Sequence, residues 1–245
     1  MKRQIMYTFA ILFASQAWGY EPAGTPQDWP NPIPDKKPYG MILGDRLEAR
    51  FSDDKDIYVW DVQGWYGGNY NRLWIKTEGE GEQGKSPEGA EVQALFSKRF
   101  LPFWDWQIGI RHDFEPSPDR THGVVGLQGV MPYEFEWDSA LFVSEKGDIT
   151  ARIEAEYDLR VTQRLVLQPR LELNAAASDV PELGLASGLN STELGVRLRY
   201  EVKREFAPYV GVSWERLYGD TEDIARLEGE ETSSTFLVFG FRAWF

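Results

Sequence analysis

Phe236-Leu237-Val238-Phe239-Gly240-Phe241-Arg242-Ala243-Trp244-Phe245 forms the end of this 245-residue chain and reads as an amphipathic strand. Leu237, Phe239, Phe241, Ala243 and Phe245 share one phase, and Gly240 and Arg242 occupy the other. Successive side chains on a strand point to opposite faces. One face of this segment therefore suits an apolar medium, and the other tolerates charge.

Working outward, the same period of two recurs from Met41 to Phe245. It predicts about twelve strands near 41–51, 56–66, 71–79, 89–99, 103–113, 121–131, 134–143, 148–160, 164–175, 191–203, 206–217 and 235–245. Between 148 and 160, Ile149, Ala151, Ile153, Ala155, Tyr157 and Leu159 alternate with Thr150, Arg152, Glu154, Glu156, Asp158 and Arg160. Leu171 and Leu173 alternate with Arg170, Glu172 and Asn174 in the next segment. A charge facing lipid at mid-bilayer costs about 2–4 kcal/mol for Arg or Lys, so the charged phase must face a lumen. Pro169 falls in the lipid phase, where it removes a ladder donor, and predicts a bulge.

The connections alternate in length. Short ones such as Pro132-Tyr133 and Arg204-Glu205 read as periplasmic turns. Longer stretches such as Ala176–Asn190 and Gly219–Ser234, rich in Gly, Pro, Ser and acids, read as outer loops. A soluble sandwich has no reason to alternate in this way. A terminal Phe closing an aromatic strand also resembles the assembly signal of bacterial outer-membrane barrels. The predicted fold class is all-β: a transmembrane antiparallel β-barrel of about twelve strands, of the outer-membrane type.

The N-terminal region agrees with export. Met1-Lys2-Arg3-Gln4 is a positive start, Ile5 to Ala14 an apolar core, and Ala17-Trp18-Gly19 a small-x-small cleavage site. This pattern predicts a secretory signal peptide over residues 1–19. Residues 20–40, with prolines at 22, 26, 30, 32, 34 and 38, read as an extended periplasmic arm,. Residues 41–245 are then the barrel, set in outer-membrane lipid. Composition fits: aromatics reach 14% while mean hydropathy is −0.45, the combination of an apolar outside and a polar inside. There is no cysteine, which excludes disulfides and thiolate metal sites,. Net charge is −13, and loss of Lys2 and Arg3 with the signal peptide makes it −15. That argues against nucleic acid as a partner and is compatible with attracting cations.

The inferred lumen carries many Arg and many carboxylates, which either brace the barrel or serve passing ions. Glu134-x-Glu136-x-Asp138 is the acidic run suited to binding cations, with Asp105, Asp113 and His122 in the same inward phase,. His112 and His122 flank one outer loop, and two His with carboxylates suit a borderline divalent metal or Cu(II). The parity of Asp105, Gln107, Arg111 and Asp113 nevertheless turns His112 outward unless a bulge intervenes. A rim hydrolase would need His112 and Asp113 as a dyad, or a Ser placed beside one of the two His. The leading expectation is a protein that catalyses no reaction.

Several ordered segments resemble one family. Tyr70-Asn71-Arg72-Leu73-Trp74-Ile75-Lys76-Thr77-Glu78-Gly79-Glu80, Pro102-Phe103-Trp104-Asp105-Trp106-Gln107-Ile108-Gly109-Ile110-Arg111-His112-Asp113 and Gly123-Val124-Val125-Gly126-Leu127-Gln128-Gly129 are similar to the copper resistance protein B family. So are Pro132-Tyr133-Glu134-Phe135-Glu136, Ala155-Glu156-Tyr157-Asp158 and Ala207-Pro208-Tyr209-Val210-Gly211-Val212-Ser213-Trp214-Glu215. The resemblance implies an outer-membrane barrel in copper tolerance, binding copper ions or passing them at the outer membrane. Copper would be a transient or transported ion rather than a catalytic cofactor. The resemblance also implies a periplasmic multicopper oxidase as partner, and hence the alternative of a non-conducting barrel that docks the oxidase. Many members carry a Met- and His-rich stretch before the barrel, but Tyr20–Gly40 holds neither residue here. Met41 and Met131 are the only Met beyond the predicted signal peptide, too few and too scattered to form a thioether site alone.

Overall fold

The computed structural model describes residues 37–53 and 55–245; the predicted signal peptide and nearly all of the predicted arm lie outside these residues. The strands are β1 (Tyr39–Phe51), β2 (Asp56–Gly67), β3 (Asn71–Glu82), β4 (Gly89–Leu101), β5 (Trp104–Glu115), β6 (Arg120–Met131) and β7 (Phe135–Ser144). They continue as β8 (Ile149–Tyr157), β9 (Leu159–Arg160), β10 (Leu165–Ala176), β11 (Gly188–Tyr200), β12 (Phe206–Leu217) and β13 (Ser233–Trp244). β8 and β9 pair with β10 in one register, Glu156 opposite Arg170 and Leu159 opposite Leu167, so they are two segments of one stave. Neighbouring staves pair antiparallel, and β1 pairs with β13, Phe51 opposite Leu237 and Leu43 opposite Trp244. The result is a closed barrel of twelve staves, which leaves no unpaired sheet edge.

The outward face follows the alternation in the sequence. Ile75, Ile110, Val125, Leu141, Val196 and Leu237 are each about half exposed, as side chains on a lipid-facing belt must be,. Inward, Arg46, Glu48, Arg50, Gln107, Arg170 and Arg197 are buried. Stave ends fall within three residues of the predicted bounds, and the first stave begins at Tyr39, taking in the last two residues assigned to the arm.

Three expectations are corrected. Pro169 causes no bulge; β10 keeps one register with β11 from Leu165 to Asn174, Pro169 opposite Val196, and shifts only after Asn174. Instead the neighbouring stave is interrupted at Asp158, beside the proline that has no N–H to give,. Bulges occur elsewhere, notably in β1, where Gly44 opposes Val62 and Arg46 opposes Asp61, so Asp45 is the extra residue,. The last outer loop is not irregular throughout: it contains α1 (Gly219–Glu228), with Asp220 and Glu222 in its first turn, Arg226 in its last, and Gly229 in the left-handed conformation at φ 82°. That acid-to-base order suits the helix dipole, and the glycine supplies the stop. Finally, the lumen is not polar throughout. Trp74, Leu95, Val124 and Phe142 form a buried apolar patch on the inner wall of β3 to β7, with Trp65 and Ala140 against it. Phe236 and Val238, both 0% exposed, add a second apolar stretch inside β13.

Candidate functional site: an acidic vestibule and an ion-paired constriction

Short turns close one end of the barrel at 68–70, 102–103, 132–134, 161–164 and 201–205; the opposite end carries the longer loops, 177–187 and 218–232 among them. In a barrel of this kind the short turns lie in the periplasm. A cavity of about 330 Å³ opens at that end. Its wall carries Asp45, Asp61, Asp105, Glu136, Asp138, Glu154 and Glu156, against the two cations Arg72 and Arg99. Asp45 reaches this wall because the β1 bulge re-aims it, and Arg242 Nε holds it at 2.8 Å,. Lys76 Nζ binds Asp138 at 2.7 Å, and Asp105 sits 3.3 Å from Arg99 and 3.6 Å from Arg72. Glu136 makes no ion pair within 4 Å among the described residues.

Above the vestibule the lumen narrows. The gap there, about 60 Å³ and lined by Lys76, Glu78, Glu91, Arg152 and Phe142 among others, holds only a few waters,. A chain of charges crosses it. Arg46 pairs with Glu78, Glu78 with Arg152 at 2.7 Å, Arg152 with Glu91 at 3.0 Å, Glu91 with Arg111 at 2.8 Å, and Arg111 with Asp113 at 2.5 Å. The Arg111 guanidinium also lies over the Phe142 ring, 4.5 Å from its centre,. A second network fills the opposite side: Glu48 accepts from Arg50 at 2.9 Å, from Arg197 at 2.6 Å and from the Tyr209 hydroxyl at 3.0 Å. Arg170 binds Glu154, Glu156 and Glu172 at 2.8–2.9 Å. Gly240 is required beside this network, because a Cβ there would stand 2.7 Å from the Tyr209 ring.

The seven residues singled out in the sequence do not form one site. Asp105, Glu136 and Asp138 share the vestibule. Glu134 lies in the turn before β7, exposed, at φ 63°, outside the lumen wall. Asp113 and His122 are buried together nearer the outer end, His122 Nδ1 3.6 Å from Asp113 Oδ2. His112 sits on the opposite face of the same hairpin: it bonds Thr121 Oγ1 at 3.0 Å and stacks edge-on with Phe114. The register places Arg111 opposite His122 and His112 opposite Thr121, so the two His cannot share an ion, and His112 and Asp113 cannot act as a dyad. Among the described residues no three His, Asp or Glu side chains are gathered as a metal-ion cluster. Asp45, Asp61, Glu154 and Glu156 were not among the candidates; the alternation puts Asp61 and the two glutamates inward, whereas only the bulge puts Asp45 there.

The comparisons with known proteins agree with this architecture. A family model described as copper resistance protein B precursor (CopB) matches residues 38–245. Copper resistance protein B of Escherichia coli is 45% identical, over 84% of this chain and 69% of that one. A copper resistance protein B homolog of Pseudomonas syringae pv. tomato is 43% identical, over 83% and 69% respectively. Among solved structures, the NanC porin superposes with a TM-score of 0.54 at 12% identity, covering 84% of this chain and 99% of that one. The KdgM porin gives 0.51 at 13% identity, with 84% and 99% covered. At such identity these two speak for the barrel alone. With the family model spanning every stave and its relatives matching over most of the chain, this outer-membrane barrel belongs to the copper resistance protein B family.

Proposed function

We propose that the chain serves copper resistance by collecting copper ions at its periplasmic mouth and passing them, or holding them, at the outer membrane. The observation that carries this reading is the vestibule, in a member of a copper resistance family: seven carboxylates line about 330 Å³, and Glu136 stands outside the ion pairs that the other six make with lumen cations. Such a mouth concentrates cations by its field, and hard carboxylate oxygens accept Cu(II) without the thiolates or thioethers that Cu(I) prefers. Glu136, free of an ion pair, is the first contact; Asp138 and Asp105 can exchange Lys76, Arg72 or Arg99 for the incoming ion. Past the vestibule the ion meets the Glu78–Arg152–Glu91 chain, and passage requires those pairs to part.

The experiment is copper tolerance of cells carrying Glu136→Gln with Asp138→Asn, checked for folded protein in the outer membrane. Loss of tolerance with the barrel intact supports collection by the vestibule; unchanged tolerance counts against it. One observation favours a second reading. The constriction is filled by paired arginines, Arg50 and Arg197 each only 1% exposed. A barrel so filled suits a non-conducting role, docking a periplasmic multicopper oxidase. That reading requires tolerance to survive the vestibule changes and to fail when the proline-rich segment before the barrel is deleted.

A further inference from the structure

The periplasmic end has a second charged feature, of opposite sign to the vestibule. Turns 161–164 and 201–205 are neighbours, because β10 lies beside β11; the Glu201 N–H donates to the Arg164 carbonyl at 2.7 Å. Between them runs a groove of about 740 Å³ lined by Arg160, Arg164, Lys203 and Arg204, with Glu201 as its one carboxylate. All four cations are exposed, and none forms an ion pair within 4 Å among the described residues. That is unusual in a barrel where nearly every lumen arginine is paired and the chain carries a net charge of −13. The remaining short turns, Gly68-Asn69-Tyr70, Pro102-Phe103 and Pro132-Tyr133-Glu134, have no cation of their own, and the nearest cations to them, Arg72, Lys98 and Arg99, stand on β3 and β4.

The groove's position names its occupant. The same two turns carry Val161 and Val202, 55% and 50% exposed, and the stave ends beside them carry Leu159, Tyr200 and Phe206, each exposed by 43–47%. These outward apolar side chains continue the lipid-facing belt to the level of the cations. Trp244, an interfacial aromatic, donates its indole N–H to the Arg204 carbonyl at 2.7 Å,. The turn backbone is fixed as well: Trp244 N–H bonds the Glu205 carbonyl at 3.1 Å, and Lys203 and Phe206 exchange bonds at 3.2 Å. Unpaired guanidinium and ammonium groups thus stand on a rigid frame where acyl chains end and headgroups begin. We infer that this groove binds the phosphate headgroup of an anionic phospholipid in the inner leaflet of the outer membrane, with Arg164, Lys203 and Arg204 as phosphate donors.

The test uses the full chain refolded into nanodiscs of phosphatidylethanolamine with one-tenth phosphatidylglycerol, and measures by native mass spectrometry the lipid retained after extraction. Wild type should retain phosphatidylglycerol over phosphatidylethanolamine. Each interfacial cation contributes roughly fivefold, so Arg164→Gln/Lys203→Gln/Arg204→Gln should reduce that preference on the order of 100-fold. Lys85→Gln/Arg226→Gln, at the outer end, should leave it unchanged. Glu201→Gln, which removes the groove's carboxylate, should raise it and keeps the test decisive if the triple variant does not fold. Equal preference in wild type and triple variant, or no preference in wild type, overturns the site. So does displacement of the lipid by soluble polyglutamate at equal charge concentration, which would make the groove a protein-docking surface.

Discussion

Replacing Glu48 by Gln removes one charge and almost no volume at the centre of the larger lumen network. The Glu48 side chain is 0% exposed, and its guanidinium partners on Arg50 and Arg197 are 1% exposed. Arg50 keeps Glu193 at 3.0 Å and Glu215 at 2.5 Å, but Arg197 keeps only Glu193 at 3.4 Å. The variant therefore leaves the Arg197 charge with one long ion pair in a site that water scarcely reaches. Breaking a buried pair on one side costs about 3–5 kcal/mol, whereas a pair in a water-filled lumen is worth about 0–1 kcal/mol. The two cases are well separated. Urea unfolding of the barrel in lipid vesicles, followed by tryptophan fluorescence and by the gel mobility of unheated protein, measures the difference. Glu48→Gln should lower stability by the larger figure, and adding Arg197→Gln should restore part of it, because the poorly paired charge is then gone. A loss below about 1 kcal/mol, with no coupling between the two changes, would refute the packed, dry network described above.

Other outcomes follow from the same geometry. Val125→Arg, on the outward face near the middle of β6, should cost about 2–4 kcal/mol and lower the folded yield in vesicles. An Arg tolerated there would mean that this face does not meet lipid. Gly240→Ala should destabilise the barrel by about 1–3 kcal/mol, because its methyl meets the Tyr209 ring and must displace the hydroxyl from Glu48,. In the outer loop, Lys146 bonds Glu182 and Arg120 bonds it at 2.6 Å, and these cations hold its carboxyl below the ordinary range. A depressed carboxyl contributes above its unfolded pKa and loses that contribution as pH falls through the folded value. Protection of 177–187 against hydrogen exchange, corrected for the intrinsic rate at each pH, should therefore fall below about pH 4 and stay flat with pH in Glu182→Gln; equal profiles would dismiss a role for these ion pairs in holding the loop.

Much of this molecule was legible in alternation alone. Leu171 out and Glu172 in, or Leu198 out and Arg197 in, follow from a period of two and from the cost of charge in lipid. The same parity separates His112 from His122 and brings Asp113 to the side of His122. What stayed hidden depends on information that alternation lacks. Asp45 enters the vestibule through a bulge, a one-residue insertion that reverses phase locally. Phe236 and Val238 are inward yet apolar, and polarity marks the inner face only where charges occur. Pairs such as Lys76–Asp138 and Arg152–Glu91 reach across the lumen, so they depend on stagger and closure rather than on neighbouring sequence. The Gly219–Glu228 helix sits among residues whose loop-like composition masks its acid-to-base order.

A vestibule that collects cations and feeds a narrow lumen should show itself electrically. The decisive experiment is single-channel conductance of the refolded barrel in a planar bilayer, in KCl with and without copper. Small cation-selective steps that copper alters are expected, with the copper effect lost in Glu136→Gln/Asp138→Asn. A correctly folded barrel that stays silent, or steps indifferent both to copper and to those substitutions, would contradict collection by the vestibule.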